Sequence, residues 1–232
     1  MSTPTRFPQG VTNAAPGTAL ERFLDTDPSR MHLWFDDFDK FTAADWTITT
    51  TEAGAGSATE AIGNLDGGVL VITNDAADND ADFFQWTKET FKFESGKKLW
   101  FKARLKINEV IQCDFVMGLQ ITDTTPLAVS DGVYIMSDDG DANLDCYVTK
   151  DSTSTTATAA STLTADTYCT LAFYYDGKSA VTFYKDDAPI ATLATTNLPD
   201  DEEMTISFGI QNGEAVAKVL SIDYLLIAKE RG

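Results

Sequence analysis

Residues Leu99 to Ile107 alternate without a break. Leu99, Phe101, Ala103, Leu105 and Ile107 share one parity, and Trp100, Lys102, Arg104 and Lys106 share the other. Successive side chains of a strand point to opposite faces, so this period of two predicts a strand with one apolar and one mostly basic face. The same device recurs in Phe115, Met117, Leu119 and Ile121, in Met204, Ile206, Phe208 and Ile210, and in Leu220, Ile222, Tyr224 and Leu226. Shorter apolar runs at residues 69–72, 133–136, 171–175 and 181–184 bring the set to eight or more. Turn signals separate them: Asp66-Gly67-Gly68, Ser95-Gly96-Lys97, Asp176-Gly177-Lys178, Asp186-Asp187-Ala188-Pro189 and Asn212-Gly213-Glu214. These residue types tolerate the positive φ that tight hairpins demand. After residue 33 no helical pattern exceeds two turns. Many strands joined by short turns predict an all-β, antiparallel β-sandwich or barrel in one domain. The Ser/Thr/Ala-rich stretch 151–165 is expected as a strand and loop at a sheet edge, since threonine favours strands.

The first 32 residues break this pattern. Pro4, Pro8, Pro16 and Pro28, with Gly10 and Gly17 between them, disfavour a strand or long helix. Thr18 to Leu24 offers at most two helical turns, with Thr18 as cap and Glu21 three residues on. The expected organisation is an extended N-terminal arm over residues 1–32 and a β-sandwich over 33–232. Fixing about 30 residues costs on the order of 30–60 kcal/mol of backbone entropy. Such an arm has no core of its own, so an ordered arm must lie on its own sandwich, on a neighbouring copy or on another protein. Phe7, Val11, Leu20, Phe23 and Leu24 are the candidate anchors, with Arg6 and Arg22 as polar clamps.

Charge narrows the partners. The 232 residues carry 36 Asp and Glu against 17 Lys and Arg, a net charge of -19. That surface repels nucleic acid and anionic membrane alike. Neither is an expected partner. The N-terminus lacks the apolar run of a secretory signal. Cys113, Cys146 and Cys169 are too widely spaced for a zinc pattern or a disulfide framework, and are expected as buried free thiols.

Catalytic chemistry finds little footing. The single histidine, His32, has no nucleophile motif beside it and reads as a packing or hinge residue. Glycoside hydrolysis needs two carboxyls about 5–10 Å apart, and no strand carries the Glu-x-Asp-x-x-Glu spacing that would align them. In Trp34-Phe35-Asp36-Asp37-Phe38, Trp34 or Phe35 can anchor the first strand while the acids face water. No cofactor is expected. A weak Ca²⁺ candidate is Asp138, Asp139 and Asp141 around Gly140, which lacks the EF-hand spacing and equally suits a hairpin loop. The acidic loop 75–82 carries the same two readings. Outward rings such as Tyr174 could stack on a sugar or on a partner chain.

The opening Thr5-Arg6-Phe7-Pro8-Gln9-Gly10-Val11-Thr12-Asn13 resembles an element that opens many tailed-phage structural proteins. The body resembles phage head proteins with a concanavalin-like (laminin-G-like) jelly roll. The stretches that carry this are Trp34 to Phe38, Asp131-Gly132-Val133-Tyr134 through Asp141, Tyr175-Asp176-Gly177, and Ser207 to Glu214. The resemblance implies a virion decoration (cement) protein, made in the host cytoplasm and placed on the outer capsid surface. It implies a homo-oligomer, with a trimer favoured, whose arms dock on the major capsid protein. Arg6, Phe7, Pro8, Gly10, Val11, Thr12 and Asn13 would then head the docking segment. Two alternatives stand beside it: a carbohydrate-binding, lectin-like module for host attachment, and a tail or fibre component.

Overall fold

The computed structural model describes residues 30–65 and 67–231. They form two antiparallel sheets packed face to face. One contains β1 (Met31–Asp36), β3 (Thr59–Ile62), β4 (Leu70–Thr73), β6 (Leu99–Ile107), β11 (Cys169–Tyr175), β12 (Ala180–Lys185), β13 (Ala188–Ala194) and β15 (Val219–Glu230). Its order is β13-β12-β11-β6-β15-β4-β3, with β1 beside the later half of β15. The other contains β2 (Trp46–Thr51), β5 (Ala81–Trp86), β7 (Cys113–Gln120), β8 (Gly132–Ser137), β9 (Asn143–Lys150), β10 (Thr153–Thr162) and β14 (Thr205–Asn212). Its order is β10-β9-β8-β7-β14-β5-β2. The described helical residues form only short 3₁₀ turns.

The alternation works as the pattern predicts. Leu99, Phe101, Ala103, Leu105 and Ile107 of β6 join Phe115, Met117 and Leu119 of β7 in one core between the sheets. Stacked ring pairs fill its middle: Phe84 on Phe208 at 5.3 Å and Phe101 on Phe173 at 5.1 Å. Each such buried ring contributes about 1.5–3 kcal/mol by removal from water. The hairpin at Asp176-Gly177 also forms. Gly177 takes φ +79°, and the Asp176 carboxylate accepts the N–H groups of Lys178, Ser179 and Ala180. Asp186 and Asp187 take φ +50° and +62° between β12 and β13, the conformation a two-residue hairpin requires. Residues 153–162 form β10, an edge strand of the seven-stranded sheet.

One strand departs from its period. Tyr224 and Leu226 share the parity of Leu220 and Ile222, yet they face outward, and Leu225 and Ile227 enter the core. Ile222 pairs with Leu105 and Tyr224 with Arg104, so Asp223 is an extra, unpaired residue. A bulge of this kind reverses the facing of everything beyond it. The Asp223 carboxylate is held by Arg104, whose guanidinium also lies 4.2 Å from the Tyr168 ring centroid.

Met31 and His32 already belong to β1, ahead of the expected sandwich start at residue 33. The His32 ring stacks on Phe91 at 4.5 Å, a packing role. Burial, then Arg231 and Lys229, hold its pKa below the ordinary value. The three cysteines are free and buried, and burial pushes the Cys113 and Cys146 thiols up to about 12.

Candidate functional site

The outer face of the seven-stranded sheet has the most unusual chemistry of the described surface. Several of its outward positions are apolar where solvent would ordinarily select polar groups. Ala81 and Phe83 of β5, Val116 of β7, and Tyr134 and Met136 of β8 form a second apolar cluster, all under a tenth exposed. Tyr134 stacks on Tyr147 of β9 at 5.0 Å. Two glycines make this layer thin enough to pack. A Cβ at Gly118 would lie 2.4 Å from the Val133 carbonyl oxygen and 2.6 Å from Tyr134 Cα. A Cβ at Gly209 would lie 2.5 Å from the Phe83 ring. Without side chains there, Tyr134 and Phe83 settle against the sheet.

What covers the cluster is the chain's own loop, residues 121–131, which carries a 3₁₀ turn at Pro126–Ala128. Leu127 and Val129 pack on the apolar layer. Two fully buried glutamines tie the loop down. Gln85 donates to the Ile121 carbonyl at 2.9 Å and accepts the Asp123 N–H at 2.9 Å. Gln120 donates to the Pro126 carbonyl at 2.9 Å. At the far end, Asp131 accepts the Asp151 N–H at 3.0 Å and the Ser130 hydroxyl at 2.7 Å. An open depression of about 290 Å³ remains on one flank, between this loop and Thr51, Phe83 and Gln211.

Acids gather at the other flank. Asp138, Asp141, Asn143 and Asp145 line a depression of about 140 Å³ with Thr158 and Ala159. Burial, then Asp145 and Asp141, raise the Asp138 pKa. Burial also raises Asp114, against a hydrogen bond from the Asp139 N–H at 2.7 Å. Burial and the neighbouring Asp145 push the Tyr147 hydroxyl up to about 12. The predicted Ca²⁺ trio does not converge. Asp138 and Asp141 face this depression, whereas the Asp139 carboxylate stands against Gly213. Asp141 is occupied by the backbone and side-chain amides of Asn143, at 2.6 and 2.7 Å. The described carboxylates that do converge are Glu52, Asp75 and Asp80. Asp75 and Asp80 belong to the acidic loop singled out in the sequence. Glu52 carried no local signal, because only the fold brings the end of β2 beside that loop.

The outward positions of this face carry Asp114 on β7 and Asp145 on β9, with Asp138 and Asp141 at the rim beside them.

No family model and no curated protein matches the chain by sequence. Solved structures do match in shape. A protein of unknown function from Shewanella oneidensis MR-1 superimposes with TM-score 0.60 at 20% identity, over 94% of this chain and 95% of that one. An endo-1,3-beta-glucanase from Streptomyces sioyaensis gives 0.63 at 14% identity, over 90% and 99%. The carbohydrate recognition domain of Emp46p gives 0.56 at 10% identity, over 82% and 93%. The fold is a jelly-roll β-sandwich. Among its neighbours that jelly roll serves an enzyme and a carbohydrate recognition domain alike, so shape does not choose between catalysis and binding.

The second outer face, on the eight-stranded sheet, divides in two. Lys102, Arg104 and Lys106 form the predicted basic stripe, and each meets a carboxylate: Asp187, Asp223 and Asp166. Beyond it lies an apolar belt of Met31, Trp100, Ala172 and Ala228 with Tyr174, Tyr184 and Leu226 packed on it. Tyr174 therefore lies beside Trp100, with ring centroids 5.9 Å apart. Leu33 and Phe35 of β1 extend the apolar surface, 47% and 56% exposed. The arm residues Arg6, Phe7, Pro8, Gly10, Val11, Thr12, Asn13, Leu20, Arg22, Phe23 and Leu24 lie outside the described residues.

Proposed function

We propose that this protein is a non-catalytic structural component of a tailed-phage virion, a decoration protein that binds the outer capsid surface through residues 1–32. In this reading the jelly roll is an inert body. The arm docks on the major capsid protein, and a homotrimer of bodies presents several arms at once. Linked arms raise effective affinity without new contacts.

One observation carries the reading. Loop 121–131 covers the apolar part of the seven-stranded sheet's outer face, while the exposed apolar surface lies on β1, directly after the arm. Leu33 and Phe35 are open there, and the Arg30 carbonyl accepts the Arg231 N–H at 2.8 Å, which fixes the root of the arm to the last strand. Exposed apolar surface of this kind favours a protein partner. The resemblance of residues 5–13 to phage structural proteins points the same way. The test is a capsid-binding assay with purified shells lacking this protein. Full-length protein should saturate them, and a chain starting at residue 31 should remain folded and fail to bind. Saturation by the truncated chain would overturn the assignment.

A second reading is favoured by the Tyr134–Tyr147 stack and the acid-lined depression next to it: a glycan-binding face for host attachment. Stacked tyrosines beside hydrogen-bonding carboxylates suit a sugar ring. It predicts glycan-array binding that Tyr147→Ala abolishes. An array without hits removes it.

A further inference from the structure

We infer that Glu52, Asp75 and Asp80 form a binding site for a divalent cation of the Ca²⁺ class, which fastens the two sheets together at one rim. Glu52 follows β2 of the seven-stranded sheet, Asp75 follows β4 of the eight-stranded sheet, and Asp80 precedes β5. One oxygen from each lies within 4.8 Å of the others. Two oxygens bound to one Ca²⁺ at about 2.4 Å can stand up to about 4.8 Å apart, so this spread fits a single ion.

The surroundings are built to hold these carboxylates. Asp80 is buried and accepts the N–H groups of Ala53 at 2.5 Å and Ala77 at 3.1 Å, which binds the segment after Glu52 to the loop of Asp75. That segment bends closely round the Asp75 carboxylate: a Cβ at Gly56 would lie 2.0 Å from Asp75 Cγ. A larger residue at position 56 would push the Asp75 carboxylate aside. The ion pairs of the described residues include none to Glu52, Asp75 or Asp80. Lys218, whose carbonyl accepts the Asn74 N–H, commits its ammonium to Glu109 and Glu214 at 3.5 and 2.7 Å.

An independent sign comes from Asn74, which is 1% exposed. Its side chain is directed into the loop of Asp75 and Asp80, with Nδ2 2.9 Å from the Asp80 carbonyl oxygen. Nδ2 also faces the Ile210 carbonyl and Asn212 Oδ1. All three are acceptors, so the amide orientation is fixed. Its Oδ1 is left buried with no partner among the described residues. A buried oxygen without a donor, on the residue next to Asp75, is a costly arrangement that a cation with its bound water relieves. The donors are all oxygen, with neither histidine nor cysteine, which selects Ca²⁺ over zinc or copper.

The test is thermal unfolding of the full-length protein after EDTA treatment and dialysis, titrated with CaCl₂ at constant ionic strength, with calorimetric stoichiometry. The expected result is one Ca²⁺ per chain and a midpoint rise of about 5–10 °C at a hundredfold excess over Kd. Glu52→Gln, at an exposed position, and Asp75→Asn should each weaken binding at least tenfold. Asp138→Asn should leave it unchanged. No calcium-specific shift, an equal shift with NaCl, or a shift that survives Glu52→Gln with Asp75→Asn and is lost in Asp138→Asn would overturn the assignment.

Discussion

The two outer faces of this sandwich arise from the same alternation and end in opposite states. On the eight-stranded sheet the outward Lys102, Arg104 and Lys106 of β6 are each met by a carboxylate from a neighbouring strand or turn. On the seven-stranded sheet Ala81 and Phe83 of β5, Val116 of β7, and Tyr134 and Met136 of β8 make an apolar outward patch, and the chain covers it with loop 121–131. The first face is balanced by charge in contact with solvent. The second has become a small core of its own. An outward parity therefore does not mean exposure. It means only that whatever covers the residue comes from outside the sandwich interior, here a loop tied by Gln85 and Gln120.

The sharpest way to break this contrast is Phe83→Ala. If the second face is a core, the loss should reach about 3–5 kcal/mol in urea unfolding, as for a buried ring. A loss under about 1 kcal/mol would mean the loop does not seal the face. Gln85→Ala should cost about 1–3 kcal/mol, since it strands the Ile121 carbonyl and the Asp123 N–H. Amide hydrogen exchange should speed up across 121–131 while the strands beneath stay protected.

The rim between the faces is held by charge. Glu109 sits below its ordinary pKa: burial raises it, but the N–H groups of Ile111 and Gln112 and the Lys218 ammonium outweigh that. A depressed carboxyl stabilises the fold above its unfolded pKa and loses that contribution as pH falls through the folded one. Glu109→Gln should thus cost about 1–2 kcal/mol at pH 7, given its partial exposure. The gap from wild type should close as pH falls below the ordinary glutamate range. Melting curves at pH 7 and pH 3 check the sign. The smallest effect belongs to the open belt: Phe35→Ala should shift stability by only about 0.5 kcal/mol. In the proposed function it should nevertheless weaken capsid binding, which separates a docking residue from a packing one.

Much of the fold was legible because its signals are local. The parity of β6, β7 and β14 and the turn at Asp176-Gly177 depend on residues a few positions apart. The facing of Tyr224 and Leu226 was not legible, because the Asp223 bulge exists only where β15 meets Arg104 and Leu105 of β6. The site was harder still. Asp138, Asp139 and Asp141 are adjacent in the chain and point to different places, whereas Glu52 and Asp80 are distant in the chain and meet.

The amino-acid sequence by itself determined that this chain builds an antiparallel sandwich, where its hairpins turn, and that its net charge is strongly acidic. Alternation and turn chemistry act over a few residues and need no partner. Only the tertiary structure decided which outward face is buried and which carboxylates converge. Both depend on what the other sheet and the long loops bring alongside, and neighbours in space leave no mark on the neighbours in sequence.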